Sequence, residues 1–312
     1  MALRVTIDVF SGRPNPTVVV HGRAERALLE RLGRPRLSRD HGVAAPPASR
    51  LGYRGVHIET VAEDPSPASR RTAAASAGAG GRARAPAALR IAHGVVARAD
   101  GASAALADAA LESFLVGPGG PLRGAAPDVR LLEQLADAVQ GAVPAGPPAR
   151  ARARTSATAA ELPERCRCAP RWEPAWWNDG GAIQLGNNCY NYAANIRTDT
   201  YAQPGRAAAA MFASMLPAAM RAAALADALD DAPARNRCPG KGHLVACFVS
   251  QWDFHWYRKQ RSGLWTHKPG PDPITDVDNA GQPIVDPRTA DRADYATLVG
   301  FFVVQHGHVK IA

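Results

Sequence analysis

The first stretch of the chain alternates apolar and polar residues with the period of a half-buried strand. Between residues 3 and 9, every second position is Leu, Val or Ile, and polar residues stand between them. Two prolines and a glycine within residues 11–16 then end the strand, because proline cannot donate to a β-ladder. The pattern continues as a small α+β unit over residues 1–120. Its other predicted elements are strands at 18–20, 52–61 and 89–96 and helices at 23–32 and 104–115.

The middle of the chain lacks this periodicity. Residues 64–86 are rich in Ala, Ser, Gly and Arg, and residues 141–160 are rich in Ala, Pro and Arg. Such compositions are typical of mobile inserts and linkers. Between them, the leucines of residues 129–139 are spaced as on one side of a helix. We therefore predict that residues 121–165 form a linker that contains one helix.

The pattern changes again over residues 166–312, which are predicted to form a second α+β domain. Two helical stretches are followed by antiparallel strands, which is an α+β plan. All six Trp lie between positions 172 and 265, so the main aromatic core is expected here. The predicted elements are helices at 189–195 and 206–229, the latter interrupted at Pro217, a buried strand at 244–249, a hairpin with strands at 253–260 and 264–268, and a last strand at 297–304.

Composition narrows the classes of protein. The formal net charge is +9, carried mostly by Arg, but no basic motif is interleaved with aromatic residues, so nucleic-acid binding is not expected. No run approaches the roughly 18 apolar residues of a transmembrane helix. The first residues lack the apolar segment of a signal peptide, which favours a cytoplasmic location, with export independent of a cleaved signal as the alternative. Five Cys give no complete disulfide framework.

One cysteine has the setting of a nucleophile. Cys189 follows two asparagines, and an asparagine N-cap would place it in the first turn of a helix, where free N–H groups stabilise a thiolate. The amides of Gln184 or Asn188 could add oxyanion donors. The alternative for Cys189 is a small buried residue. Cys247, inside an apolar run, is predicted to be a core residue.

A histidine on the predicted hairpin could serve as the base. Side chains alternate across a sheet, so residues 254 and 256 share one face and residues 253, 255 and 257 share the other. His255 could accept the thiol proton of Cys189 if a further group oriented its ring. His267 is the alternative base. The alternative role for His255 is that of a structural histidine that is hydrogen-bonded within the sheet. The candidate orienting groups are His267, Asp276, Asp278 and Asn279.

A helix-borne Cys, a strand His and a later polar residue, in that order, resemble the papain-like superfamily of cysteine peptidases, amidases and transglutaminase-like proteins. The His-Trp-Tyr-Arg text at His255, followed by a turn and Gly-Leu-Trp, looks most like the transglutaminase and amidase branches. The resemblance covers residues 172–304. It implies a papain-like domain, Cys189 as nucleophile, His255 as base, and Asp276 or Asp278 as orienting residue. One departure is that His267 and the three residues after it stand where that Asp usually lies.

This resemblance implies a cysteine-dependent amide hydrolase or acyltransferase that acts on a peptide or another amide and needs no cofactor. The alternative is a non-catalytic interaction protein that uses the same scaffold, with Trp residues lining a groove. Three weaker patterns have alternative interpretations. Cys166, Cys168, Cys238 and His243 could form a zinc site, but free thiols or a Cys168–Cys238 disulfide are expected instead. Residues 276–281 hint at a calcium loop, although a turn is expected there. Residues 11–16 could bind a phosphate or a partner, although a rigid turn is expected.

Overall fold

The computed structural model describes residues 2–33, 35–39, 50–61, 88–98, 100–126, 128–141 and 164–312. These residues divide into two compact units. The first contains residues 2–8 and 15–39 and the described residues of 54–141. The second contains residues 9–14, 50–53 and 164–312. The predicted insert at 64–86 and residues 127 and 142–163 of the predicted linker lie outside the described residues.

The described part of the first unit contains an antiparallel sheet of six strands, three α-helices and a 3-10 helix at Pro121–Gly124. The strand order is β2-β1-β3-β4-β5-β6. Strand β1 lies between β2 and β3, and its alternate residues Leu3, Val5 and Ile7 are buried, as the sequence pattern predicts. The elements are β1 (Ala2–Asp8), β2 (Thr17–His21), α1 (Gly22–Leu32), β3 (Gly55–Val61), β4 (Ala88–Ala92), β5 (Val95–Ala97), β6 (Ser103–Ala105), α2 (Leu111–Val116) and α3 (Val129–Gly141).

Two predictions for this unit are wrong. The strand predicted at 89–96 is a hairpin, because His93 and Gly94 adopt positive φ and turn the chain between β4 and β5. The helix predicted at 104–115 begins only at Leu111. Its first residues instead pair with β5 as strand β6. Helix propensity is a weak preference that long-range strand pairing overrides.

The second unit is an antiparallel sheet of five strands, in the order β10-β9-β8-β11-β7. Strand β8 is entirely buried, as its apolar run predicts, and lies between β9 and β11. The predicted hairpin is confirmed as β9 and β10. The elements are α4 (Pro174–Trp177), α5 (Ala182–Gly186), α6 (Cys189–Ala194), α7 (Pro217–Ala226), β7 (Asp230–Ala232), β8 (His243–Val249), β9 (Phe254–Lys259), β10 (Trp265–His267) and β11 (Thr297–Val304).

Apolar residues cover both faces of this sheet. On one face, Cys189 of α6 and Met220 of α7 pack in one core cluster with Trp256 of β9. On the other face, a separate cluster contains Tyr257 of β9 and Trp265 of β10. Both units therefore combine helices with antiparallel sheets, and the α+β class is confirmed.

The helix predicted over residues 206–229 is much shorter. It begins at Pro217, which occupies the first helical position, where its missing N–H costs no hydrogen bond. Residues 206–216 form turns and loops before it. In the part of the chain that the structure describes, no helix combines the length and apolar character that a membrane crossing requires.

Candidate functional site

Helix α6 begins with the asparagine cap that the sequence predicts. The Asn188 Oδ1 accepts hydrogen bonds from the N–H groups of Tyr190 and Asn191, each at 3.0 Å. The Asn188 N–H in turn donates to the Asn191 Oδ1 at 3.1 Å, and these reciprocal bonds form a capping box. The Asn188 Nδ2 donates to the carbonyls of Gly12 and Ala202, both at 2.7 Å. Asn188 thus fixes the helix start and carries no donor directed at a ligand.

The Cys189 thiol lies at this helix start but is fully buried. Its Sγ is 3.8 Å from the carbonyl oxygen of Phe254. Burial raises the pKa of the thiol well above its ordinary value, and the negative charge of Asp253 raises it further. The Cys189 N–H donates to the Ser11 carbonyl at 3.4 Å. The first three N–H groups of α6 are therefore all engaged, and a neutral thiol is the stable form.

His255 lies on the opposite face of the sheet from Cys189. The thiol packs in the cluster that contains Phe254 and Trp256, whereas His255 contacts the ring of Tyr257 with centroids 4.7 Å apart. Neighbouring residues of a strand project to opposite faces, so the sheet separates thiol and imidazole. His255 is also fully buried. The structure therefore does not bring the predicted nucleophile and base together.

The structure does bring His255 and His267 together. The His255 Nε2 lies 2.9 Å from the His267 Nδ1. The His267 Nε2 in turn lies 3.0 Å from the Val277 carbonyl oxygen. One tautomer of each ring turns these contacts into a directional chain that ends on a backbone acceptor. His267, one of the predicted orienting groups, therefore contacts His255.

The other predicted site residues make hydrogen bonds within the fold. Asp278 accepts hydrogen bonds from the N–H groups of residues 282 and 291, each at 2.9 Å, and closes the loop that was a calcium candidate. Asp276 is half-buried, and its backbone oxygen accepts from residue 284 at 3.4 Å. The Gln184 Nε2 donates to the Pro271 carbonyl at 3.2 Å. The Asn279 Oδ1 accepts from residue 51 at 2.8 Å.

A buried carboxylate that the sequence did not mark accepts several hydrogen bonds near α6. Asp253 is 1% exposed. It accepts from the N–H groups of Ser11, Gly12 and Arg13 at 2.6, 3.1 and 2.7 Å. The Tyr295 hydroxyl donates a fourth bond at 2.7 Å. Burial raises the pKa of Asp253, although these hydrogen bonds act in the opposite direction.

This carboxylate explains the turn at residues 11–16. Three successive N–H groups point at one anion, which is the arrangement that loop nests use to bind phosphates. Here the anion is supplied by the protein itself. The rigid-turn interpretation is therefore the one that the structure supports. The motif signalled an anion but could not identify Asp253 as its source.

Two buried cations complete the polar framework. The Lys268 Nζ donates to the carbonyls of residues 184, 270 and 272 at 2.7–2.9 Å. The Arg258 guanidinium donates to the Tyr192 carbonyl at 3.0 Å and lies over the ring of that residue, with the Cζ 3.8 Å from the centroid. Both cations therefore donate to backbone carbonyls of the fold. The polar residues of the predicted motif hold loops and helix ends against the sheet.

Three other cysteines, Cys166, Cys168 and Cys238, lie close together elsewhere in this unit. Cys166 and Cys238 form a disulfide, so Cys168 is not the disulfide partner of Cys238. Cys168 remains a free, half-buried thiol beside them. His243, the fourth residue of the predicted zinc site, is buried on β8 with its Nε2 2.7 Å from the Ala193 carbonyl oxygen. Cys247 is buried in the core, as predicted.

A cleft of about 350 Å³ opens on the surface of this unit. Its lining includes the arginines Arg13 and Arg206 and the apolar side chains of Met211, Phe212 and Met215. Among the residues that the structure describes, no carboxylate lines the cleft. Arg206 is exposed. Since the charged side chains are all cationic, the cleft favours an anionic group attached to an apolar one.

These observations define an α+β protein whose second unit is braced by a buried polar network. Comparison with known proteins shows its relationship. The chain is 40% identical over 140 residues to the insoluble matrix shell protein 1 of Ruditapes philippinarum, a match that covers 44% of this chain and 91% of that protein. The chain therefore belongs to the same family as that shell protein. No family model and no solved structure matches the chain.

Proposed function

We propose that this chain is a non-catalytic structural protein whose second unit binds an acidic partner. One observation carries the proposal. Cys189 and His255 are fully buried on opposite faces of a sheet, so the nucleophile cannot be deprotonated by that base or reach a carbonyl carbon. The buried side chains of Asp253, Arg258 and Lys268 bind backbone groups of the fold. Within the described residues, the Cys189–His255 pair is therefore not arranged for acyl transfer, and we propose that the scaffold presents a binding surface instead.

The relative in Ruditapes philippinarum supports a structural role, because its name describes an insoluble matrix protein. The Cys166–Cys238 disulfide adds a physical argument about location. Disulfides persist in oxidising compartments and are rare in the cytosol. We therefore propose an extracellular location in place of the cytoplasmic one that the first residues favour.

The cleft lined by Arg13 and Arg206 is the surface proposed to bind the partner. The formal charge of +9 attracts polyanions over distances of about 10 Å at moderate salt. At the cleft, the two guanidinium groups can each take a carboxylate through paired N–H donors. Met211, Phe212 and Met215 offer polarizable surface to the apolar part of the ligand. An acidic polypeptide fits this combination.

The test is binding of a poly-aspartate peptide by calorimetry at two salt concentrations. We expect saturable binding that weakens as salt rises, and about tenfold weaker binding for Arg206→Ala, as the loss of a charge-assisted contact predicts. Arg235→Ala is the matched control, because Arg235 is exposed and does not line the cleft. Equal losses in the two variants would leave only nonspecific attraction and refute the cleft as the site.

A second variant separates this proposal from the cysteine-dependent amidohydrolase that the papain-like resemblance suggests. Cys189→Ala should leave poly-aspartate binding unchanged. In the native wild type, iodoacetamide at pH 8 should modify Cys168 and leave the buried Cys189 unmodified, as peptide mass analysis can show. Rapid alkylation of Cys189 that His255→Ala abolishes would instead favour the catalytic hypothesis. The papain-like architecture stays a prediction, since no solved structure matches.

A further inference from the structure

Three sulfur atoms meet at one place in the second unit. The Cys168 Sγ lies 3.4 Å from the Cys166 Sγ and 3.3 Å from the Cys238 Sγ. The near equality of these distances places the thiol beside the disulfide bond rather than in line with it. Direct thiol–disulfide exchange requires an attacking sulfur in line with the bond, which would be about 2 Å farther from one sulfur than from the other. The arrangement is therefore poorly suited to exchange.

The same arrangement is close to that of a three-thiolate metal site. All three ligand atoms lie within 4.8 Å of one another. With metal–sulfur bonds of about 2.3 Å, thiolates around one ion stand about 3.8 Å apart. Cys168 already lies within about 0.5 Å of that spacing from both neighbours. Only the bonded pair must separate, by less than 2 Å, once the disulfide is reduced.

The backbone around these cysteines is held by contacts that do not depend on the disulfide. The Cys166 N–H donates to the Arg261 carbonyl, and the Ala169 N–H donates to the Cys166 carbonyl, both at 3.1 Å. The Arg261 Nε donates to the Ala169 carbonyl at 2.9 Å. These bonds fix the turn that carries Cys166 and Cys168 against the loop between β9 and β10. The turn can therefore keep its shape after reduction.

Charge also favours an occupied site. Three thiolates and a divalent cation carry a net charge of −1, and arginines flank the cysteines in sequence at positions 165, 167 and 237. Cys166 is fully buried, whereas Cys168 and Cys238 are half-buried, so an ion can enter from the side of the latter two. Thiolate sets of this kind select thiophilic ions such as Zn²⁺, Cd²⁺ and Cu⁺.

We propose that Cys166, Cys168 and Cys238 form a binding site for a thiophilic metal ion that is available only when the disulfide is reduced. A dithiol reductant supplies two electrons and two protons, which cleave the Cys166–Cys238 bond and leave three thiols. Binding of the ion forms three metal–sulfur bonds and releases up to three protons. An oxidising disulfide takes the two electrons back, the Cys166–Cys238 bond re-forms, and the ion is released. His243 has no part in this site.

The probe is Cd²⁺, titrated into full-length protein before and after reduction with a dithiol that is then removed. We expect one equivalent to bind only to the reduced protein, with a sulfur-to-metal charge-transfer band in the ultraviolet. Cys168→Ser should weaken binding by about 100-fold or more, since even changes in the outer shell of a metal site cost 10–100-fold. Cys189→Ala, which removes a buried thiol outside the trio, is the control and should bind as wild type does.

Binding by the oxidised protein, or undiminished binding by Cys168→Ser, would overturn the proposal. Far-ultraviolet circular dichroism covers the case in which reduction unfolds the chain. If Cd²⁺ restores the native spectrum of the reduced wild type but not of Cys168→Ser, the site is supported. If it restores neither, the proposal fails.

Discussion

The substitution Asp253→Asn tests the bracing network most directly. The change is nearly isosteric and removes one buried charge. The carboxylate accepts hydrogen bonds from three successive N–H groups at residues 11–13 and from the Tyr295 hydroxyl. An amide has one acceptor oxygen, and its NH₂ group would face N–H donors. If the amide oxygen takes the Oδ2 position, which accepts from three of the four donors, the Arg13 N–H loses its acceptor and the new NH₂ group itself lacks one.

The magnitude follows from that count. Each buried donor left without an acceptor costs about 1–3 kcal/mol. Relief of the buried charge offsets part of the loss, because burial already raises the pKa of Asp253. We expect the free energy of unfolding at pH 7 to fall by about 2–4 kcal/mol. Asp278→Asn is the matched control, since Asp278 accepts two N–H bonds at a partly exposed loop, and it should cost about 1 kcal/mol.

Urea unfolding followed by tryptophan fluorescence suits this measurement, because all six Trp lie in the second unit. Equal m-values for wild type and variant would show that only stability has changed. A loss no larger than that of Asp278→Asn would refute the reasoning, because the four hydrogen bonds at Asp253 would then contribute little more than surface contacts do.

Two further predictions use the same assay. Gly12→Ala should destabilise the second unit by about 1–3 kcal/mol, because a Cβ would lie 2.3 Å from the ring of Phe254. Gly124→Ala is the control: its Cβ meets open space, and it should leave the fluorescence transition unchanged. Burial lowers the pKa of His243 from 6.5 to about 3. The free energy of unfolding should therefore fall by about 1.4 kcal/mol per pH unit as the pH drops below 6.5, because the unfolded chain takes up the proton first. His243→Gln should lack that part of the pH dependence, and identical slopes in the two proteins would contradict the assignment.

Local patterns predicted most of the elements of the fold. Strands β1, β8 and β11 and the start of α6 follow from the alternation of apolar residues, an apolar run and an asparagine cap, which all act within a few residues. The hairpin at His93 was missed because its strands on both sides are apolar and read as one. The shorter α7 follows from Pro217, which starts a helix rather than interrupting one.

The candidate site could be predicted only in part. Strand alternation separated His255 from Phe254 and Trp256, but it could not tell which face α6 would cover. The helix covers the face of Phe254 and Trp256, and Cys189 packs there with them. Resemblance in residue order placed Cys189 and His255 in one site, whereas packing placed them on two faces. The three backbone partners of Asp253 lie 240–242 positions away, so no local pattern could reveal them.

The dependence of Asp253 on residues 11–13 has a consequence for how this protein is made. During synthesis, these residues leave the ribosome 240–242 positions before Asp253 does. Their N–H groups therefore lack this acceptor until most of the chain has been synthesised. A fragment that starts at residue 164 would contain every strand of the second sheet but would lack these donors. Such a fragment should fold poorly alone and should recover when a synthetic peptide of residues 9–16 is added.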